Sequence, residues 1–149
     1  MRSKEQRVVI VPCSGIGKAF GSVSREAAYE LCESLRPDTT RIVALSKLVL
    51  GDSAAREAVS RNPAVTIDGC KRMCASKMVK QSGGTALYEA TVIDGFRRHK
   101  ELKPEGVAEL NEDGKKLARL LAEEIAETLD RAGPSRTGKG ENRVRTPRA

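Results

Sequence analysis

Val8-Val9-Ile10-Val11 is an uninterrupted run of β-branched residues, and the glycine-rich stretch from Cys13 to Gly21 follows it almost directly. A continuous apolar run of this length is typical of a strand that is covered on both faces, as in parallel sheets. Apolar residues then recur at helical spacing between Ala27 and Leu35, and Ser24 is the predicted N-cap of that helix. Strand, glycine-rich turn and helix in this order predict the opening of a βαβ unit.

The same alternation continues along the chain. Residues 95–110 are polar, and their pattern predicts neither a helix nor a strand. No second domain is predicted. We therefore expect residues 1–132 to form one small three-layer, Rossmann-like α/β domain with a mainly parallel sheet of about four strands. The further strands are predicted at residues 42–45, 64–67 and 87–93, and the further helices at 54–61, at 70–81 and from near Asn111 onward.

The positive charge is concentrated at the C-terminus. The chain carries a net charge of +7, of which residues 133–149 supply +4, because they contain five basic residues and one acidic residue. This segment has few apolar residues, so we expect it to be disordered. A basic arm of this kind suits nucleic acid or acidic partners, but a solubilising terminus is the simpler interpretation, and a nucleic-acid partner is disfavoured.

Composition also excludes several classes of protein. No apolar run approaches the roughly 20 residues of a membrane span, and no signal-peptide stretch precedes Pro12, so we expect a cytoplasmic protein without a membrane partner. With two Tyr, two Phe and no Trp, an aromatic platform for stacking nucleic-acid bases is disfavoured. Four cysteines in a reducing compartment favour metal binding or redox chemistry over a disulfide scaffold.

Three cysteines fall at predicted strand ends. Cys13 follows the first strand, Asp68-Gly69-Cys70 follows the third, and Cys74 stands one helical turn further on. Ligands of open parallel sheets bind beyond the carboxyl ends of the strands, where Asp94 after the fourth strand is also expected. We therefore predict that Cys13, Cys70 and Cys74 converge on a metal ion.

The spacing of Cys70 and Cys74 favours a metal over a disulfide if both residues are helical. Residues i and i+4 of a helix have Cβ atoms about 5–6 Å apart, whereas a disulfide needs about 3.5–4.5 Å. Two thiolates bound at about 2.3 Å to one zinc ion tolerate the wider separation. The alternative interpretation is that these cysteines are small buried apolar residues.

The loop after the first strand is predicted to support the site. Its residues Ser14, Gly15, Gly17 and Lys18 match neither a Walker A loop nor a full dinucleotide fingerprint. We expect the glycines to let the backbone wrap closely around whatever Cys13 holds. Asp68, Gly69 and Asp94 are predicted to lie around the same site.

Cys32 and His99 are the remaining candidates for a fourth ligand. Cys32 stands between Leu31 and Leu35 on the apolar face of the first helix, where core packing is the simpler interpretation. His99 is the only histidine and lies in a basic stretch, where an ordinary surface histidine is expected. A single histidine also leaves little scope for a Ser-His-Asp triad.

Two motifs together resemble a known family. They are Cys13-Ser14-Gly15 followed by a glycine-rich turn and a helix, and Ile67-Asp68-Gly69-Cys70 with Cys74-Ala75. In this order, over about residues 8 to 130, the chain resembles the DGC domain family, which is named for Asp-Gly-Cys. The resemblance implies zinc held by cysteines, with Cys13, Cys70 and Cys74 at the family's cysteine positions.

The chain departs from the family pattern at one position. Ala44 stands where many members have a further cysteine at the end of the second strand. Three thiolates would then be completed by water, by Cys32, by His99 or by a substrate. An open fourth position suits a catalytic or transfer zinc site, and it would also suit an iron–sulfur cluster with one exposed iron.

Three functional hypotheses follow from these residues. The first is a zinc-binding protein whose physiological role the sequence does not specify. The second is an enzyme of sulfur or redox chemistry that uses the same cysteines, with an iron–sulfur cluster or a reactive thiolate, and a small-molecule or protein thiol as partner. The third is a nucleic-acid adaptor that works through residues 133–149.

Overall fold

The computed structural model describes residues 7–15 and 18–132. Gly17 and the predicted disordered tail, residues 133–149, therefore lie outside the described residues. The described residues contain four strands, which are β1 (Val8–Pro12), β2 (Thr40–Ile42), β3 (Ala64–Asp68) and β4 (Ala86–Thr91). They form one all-parallel sheet in the order β2-β1-β3-β4, which confirms the predicted small α/β fold.

Helices cover both faces of the sheet and complete the three layers. They are α1 (Ala19–Tyr29), continued by a π-helical segment (Glu30–Leu35), α2 (Leu45–Leu50), α3 (Ser53–Arg61), α4 (Cys74–Gln81), α5 (Val92–Arg98) and α6 (Glu112–Ala132). One apolar cluster joins the sheet to α1, α5 and α6, and a second cluster joins it to α2, α3 and α4.

The run at residues 8–11 forms the covered strand that its composition predicts. Val9, Ile10 and Val11 are fully buried in β1, which lies between β2 and β3. Ile10 belongs to the apolar cluster under α1 and α6, whereas Val9 and Val11 belong to the cluster on the other face. This alternation is the two-residue period of a strand with a core on each side.

The long C-terminal helix matches its sequence pattern closely. The predicted start near Asn111 is confirmed, because α6 begins at Glu112 and the Asn111 side-chain oxygen accepts a 2.8 Å hydrogen bond from the Gly114 amide. Leu117, Leu121 and Ile125 form the buried stripe that packs against the sheet and α1. The helix thereby closes one face of the domain.

The predicted second strand, residues 42–45, is wrong in its boundaries. The strand β2 ends at Ile42, although the Val43 amide still donates a 3.0 Å hydrogen bond to the Ile10 carbonyl. Ala44 is then the N-cap of α2, a helix that was not predicted, and Leu45 is its first residue. A short apolar run does not distinguish a strand from a buried helix start, and both are present here.

Two further helix boundaries differ from the prediction. Ser24 is not an N-cap: it is buried inside α1, where its hydroxyl donates a 2.7 Å hydrogen bond to the Gly21 carbonyl. The fourth strand ends at Thr91 rather than at residue 93, because Thr91 caps α5 by accepting a 3.2 Å hydrogen bond from the Asp94 amide. No helix of the described residues is long and apolar enough to cross a membrane.

Candidate functional site

The register of the two central strands places Cys13 beside the Asp-Gly-Cys motif. Pro12 of β1 pairs with Ile67 of β3, and the Cys13 amide donates a 2.8 Å hydrogen bond to the Ile67 carbonyl. Cys13 and Asp68 are therefore the next residues on two adjacent strands, which lie about 4.8 Å apart. Both stand at the carboxyl edge of the sheet, where the sequence places them.

Asp68 is a structural anchor at this edge. Its carboxylate is only 1% exposed and accepts hydrogen bonds from the Ala75 amide at 2.7 Å, the Ser76 amide at 3.2 Å and the Ser76 hydroxyl at 3.0 Å. The Ser76 hydroxyl also lies 2.7 Å from the Thr66 hydroxyl. These contacts satisfy orphan amides at the N-terminus of α4, where a carboxylate is also favoured by the helix dipole.

The glycines of the two loops allow α1 to approach closely. A Cβ at Gly21 would lie 2.3 Å from the Gly15 carbonyl oxygen, and a Cβ at Gly69 would lie 3.3 Å from the Gly21 nitrogen. Gly15 also has a positive φ of 42°, a conformation that favours glycine. Gly15 and Gly69 thus fit against the first turn of α1, and this packing holds the two cysteine-bearing loops together.

Cys70 does not lie in a helix, so the prediction of a helix over residues 70–81 is wrong at its start. The Met73 amide donates a 3.3 Å hydrogen bond to the Cys70 carbonyl, which closes a turn, and α4 begins only at Cys74. Met73 has the left-handed conformation, with φ 55° and ψ 44°. Because Cys70 is not helical, the helical Cβ separation of about 5–6 Å does not apply to Cys70 and Cys74.

The thiols of the site are accessible, and their surroundings are basic. Cys70 and Cys74 are exposed, and Cys13 is half-buried. The exposed basic residues of the two loops and of the first turn of α4 form no ion pair with an acidic side chain among the residues that the structure describes. These residues are Lys18, Lys71, Arg72 and Lys77.

Contacts from α1 fix the loop that follows β1. The Arg25 guanidinium donates hydrogen bonds to the Ser14 carbonyl and, at 3.2 Å, to the Ser22 hydroxyl. The Ser24 hydroxyl lies within hydrogen-bond distance of the Cys13 carbonyl, at 3.2 Å. Sequence reasoning did not single out Arg25. The only available signal was its position in the helix after the loop, near enough to reach back.

Neither candidate fourth ligand lies with the three cysteines. Cys32 hydrogen-bonds Thr40, which pairs with Val8, the first residue of β1. Cys13 instead follows Pro12, the last residue of β1. The strand rise of about 3.3 Å per residue separates these ends by more than 10 Å. Burial raises the pKa of the Cys32 thiol, and the hydrogen bond with Thr40 only partly opposes this shift.

His99 and Asp94 are occupied by other contacts. His99 ends α5, and its Nε2 lies 3.1 Å from Glu124 Oε1 on α6. Asp94 lies in the first turn of α5, where its carboxylate accepts a 2.7 Å hydrogen bond from the Thr91 hydroxyl. Thr91 pairs with Asp68, so Asp94 is near the same edge of the sheet but on the outer strand.

The donor chemistry of the site suits a soft metal, although the side chains are not yet gathered around one. Within residues 7–15 and 18–132, no group of three or more His, Cys, Asp or Glu side chains is arranged to hold a metal ion. The predicted ligands Cys13, Cys70 and Cys74 are nevertheless carried by adjacent strand ends and one short turn. Thiolates are the ligands that zinc and iron–sulfur clusters prefer.

Comparison with known families identifies the same part of the chain. The DGC domain matches residues 9–118, from β1 into the first turns of α6 and including all four cysteines. No curated protein and no solved structure matched the chain significantly. The match covers most of the chain, and the protein is a member of the DGC domain family.

Proposed function

We propose that the protein binds a zinc ion through the thiolates of Cys13, Cys70 and Cys74. The observation that carries the proposal is the β1–β3 register, which sets Cys13 beside the Asp-Gly-Cys turn. Membership of the DGC domain family is consistent with metal binding. Cys70 and Cys74 are both on the surface, where a metal ion can reach them.

Three protein thiolates leave one zinc coordination position for an exchangeable ligand. Structural zinc sites are closed by four protein ligands, whereas catalytic and transfer sites keep a position for water or substrate. A small-molecule or protein thiol would suit that position, since its sulfur is a soft donor. The proposal therefore favours metal transfer or thiol chemistry over a purely structural ion, in a reducing compartment such as the cytoplasm.

The metal content of untagged protein prepared anaerobically tests this proposal. We expect about one zinc per chain and no visible absorption, because zinc is d¹⁰. Cys13→Ser, Cys70→Ser and Cys74→Ser should each lose most of the metal, since a hydroxyl is a poor ligand at a soft site. Cys32→Ser is the matched control and should retain it.

Two results would contradict the zinc assignment in different ways. A brown protein that contains iron and sulfide would replace zinc with an iron–sulfur cluster on the same cysteines. Equal metal retention in Cys70→Ser and Cys32→Ser would instead overturn the set of ligands. Only a trace of any metal in the wild-type protein would remove the proposal altogether.

A further inference from the structure

The turn between Cys70 and Cys74 has a defined backbone geometry. A hydrogen bond of 3.3 Å joins the Met73 amide to the Cys70 carbonyl, with Lys71 and Arg72 at the central positions. Met73 alone among the described non-glycine residues has a positive φ. A type II turn would need a positive φ at Arg72, so this is a type I turn followed by a left-handed residue.

This geometry brings the Cα atoms of the two flanking residues close together. A type I turn followed by a left-handed residue is the usual three-residue connection of a hairpin, in which the residues on either side have Cα atoms about 4.5–5.5 Å apart. Cys74 begins α4 rather than a second strand, but the backbone angles of residues 71–73 set this separation in either case. That separation falls inside the range of about 4.4–6.8 Å between the Cα atoms of disulfide-bonded cysteines.

The conformation of Met73 is costly and is fixed from outside the turn. A residue other than glycine adopts the left-handed conformation at a cost, because its Cβ approaches the following carbonyl oxygen. Asp68 holds the start of α4, and Gly69 packs against α1, so both ends of the turn are anchored. Strained backbone that is imposed by its surroundings is concentrated at functional sites.

We propose that Cys70 and Cys74 form a redox-active dithiol, which exchanges with low-molecular-weight disulfides when the protein holds no metal. Both thiols are exposed, and the hydrogen-bonded turn brings their residues close together in the backbone. Cys13 and Cys32 are both partly buried, and burial raises the pKa of the Cys32 thiol. The exposed pair is therefore the most accessible set of thiols in the chain.

The exchange proceeds in two balanced steps. The thiolate of one cysteine attacks a sulfur of the external disulfide, forming a mixed disulfide and releasing one thiolate. The thiolate of the second cysteine then attacks the protein sulfur of the mixed disulfide and releases the other thiolate. The cysteine pair loses two electrons and two protons, and the external disulfide is reduced to two thiols.

The charge of the turn indicates which disulfides react fastest. Lys71 and Arg72 separate the two cysteines, and Lys77 lies one turn into α4; all three are exposed. Cations at the point of encounter attract anions and increase the rate of association. We therefore expect a preference for disulfides that carry carboxylates over neutral ones.

The sequence makes the disulfide easy to identify by mass spectrometry. The full chain is treated with a chelator, incubated with oxidised glutathione, blocked with an alkylating reagent and cleaved with trypsin without reduction. Cleavage after Arg61, Lys71, Arg72 and Lys77 places Cys70 in peptide 62–71 and Cys74 in peptide 73–77. We expect two of the four thiols to be lost and these two peptides to be joined until a reductant is added.

Single variants identify the intermediate, and a neutral disulfide tests the charge preference. Cys70→Ser and Cys74→Ser should each stop at a stable glutathione adduct on the remaining cysteine, whereas Cys32→Ser should behave as the wild type. Oxidised glutathione should react faster than bis(2-hydroxyethyl) disulfide at low salt, and the difference between the two rates should decrease at high salt. Equal rates at low salt would overturn the preference for anionic disulfides.

Other linkages would overturn the dithiol itself. A peptide joining Cys13 to Cys70, a dimer linked between chains, or four thiols left unreacted would each be incompatible with the proposed pair. Because the metal is removed beforehand, the outcome is independent of the zinc proposal. A protein that binds no zinc but joins peptides 62–71 and 73–77 would contradict only the zinc proposal. A protein that binds zinc but does not join these peptides would contradict only the dithiol proposal.

Discussion

The carboxylate of Asp68 lies beside a cysteine loop and also holds the first turn of α4 in place. It is buried and accepts three hydrogen bonds from two residues of α4, and nothing else in the described contacts replaces it. A buried amide that loses its acceptor carries the full cost of desolvation, whereas an exposed one is solvated by water. The residue therefore stabilises the start of α4 and, with it, the position of the cysteine turn.

We expect Asp68→Ala to lower the free energy of unfolding by about 2–3 kcal/mol, since it removes the acceptor of the first amides of α4 and leaves buried donors unpaired. Asp52→Ala is the matched control, because Asp52 caps α3 with one 2.8 Å bond to the Ala55 amide and is exposed. Its cost should be only about 1 kcal/mol. Urea denaturation measures both, and equal losses would mean that burial of Asp68 adds nothing.

The sequence predicts where Cys13 and Cys70 lie, but not the backbone conformation of the turn between Cys70 and Cys74. Cys13, Asp68 and Cys70 were placed correctly at the edge because strand ends can be recognised from apolar runs, and parallel strands end at one edge. The left-handed Met73 carries no such signal, since glycine or asparagine would normally mark that conformation. The predicted helix therefore begins at residue 70, four residues before the observed start of α4 at Cys74.

Among the elements, the end of α1 is tied to the end of α6 by one ion pair. The Arg36 guanidinium, which follows the π-helical segment, donates through Nε to Asp130 Oδ1 at 3.0 Å and through Nη2 to Asp130 Oδ2. The hydrogen bonds from Arg36 hold the pKa of Asp130 below its ordinary value. Both side chains are partly exposed, so the pair contributes modestly to stability.

The lowered pKa of Asp130 gives this pair a defined pH dependence. Its contribution is fully present above the unfolded-state pKa of about 3.9 and is lost as the pH falls through the lower pKa of the folded state. Asp130→Asn should therefore reduce stability at pH 7 by less than about 1 kcal/mol. The difference from wild type should vanish in strong acid.

Chemical denaturation at several pH values measures this difference. The double variant Arg36→Ala, Asp130→Asn should be no less stable than the sum of the single changes predicts, since each single change already breaks the pair. A wild-type advantage that persists below the folded-state pKa of Asp130 would contradict the assignment to this carboxylate.

Errors in the prediction of elements are concentrated where local propensity is ambiguous. The buried runs of β1 and β3 and the stripe of α6 were recognised, because their periodicity extends over a whole element. β2 was extended into residues that begin α2, and β4 into residues that begin α5, because β-branched and apolar residues continue past each strand. α5 begins immediately after β4, and two residues separate α2 from β2. No glycine or proline marks either boundary.

At the scale of the molecule, the two apolar clusters on the faces of the sheet are complete without a ligand. Every fully buried side-chain nitrogen or oxygen in the described part of the chain has a hydrogen-bond partner. The cysteine loops lie outside both clusters, at the edge of the sheet. Folding and metal binding should therefore be separable.

We expect chelator-treated protein to unfold cooperatively, and zinc to raise its Tm. A ligand that binds only the folded state at 100 times its Kd adds about 2.7 kcal/mol, which corresponds to an increase of several degrees. Thermal melts followed by circular dichroism measure the shift, which Cys70→Ser should abolish and Cys32→Ser should retain. An apo protein without a cooperative transition would place zinc among the requirements for folding.

The π-helical segment Glu30–Leu35 has a consequence for comparing members of the family. The Arg36 amide donates a 2.7 Å hydrogen bond to the Leu31 carbonyl, so this bond spans five residues instead of the four of an α-helix. One residue is thus accommodated without moving Leu31 in the core or the start of β2. Relatives that lack this residue would continue α1 as a regular helix, and their correct alignment would contain a one-residue gap between residues 30 and 36.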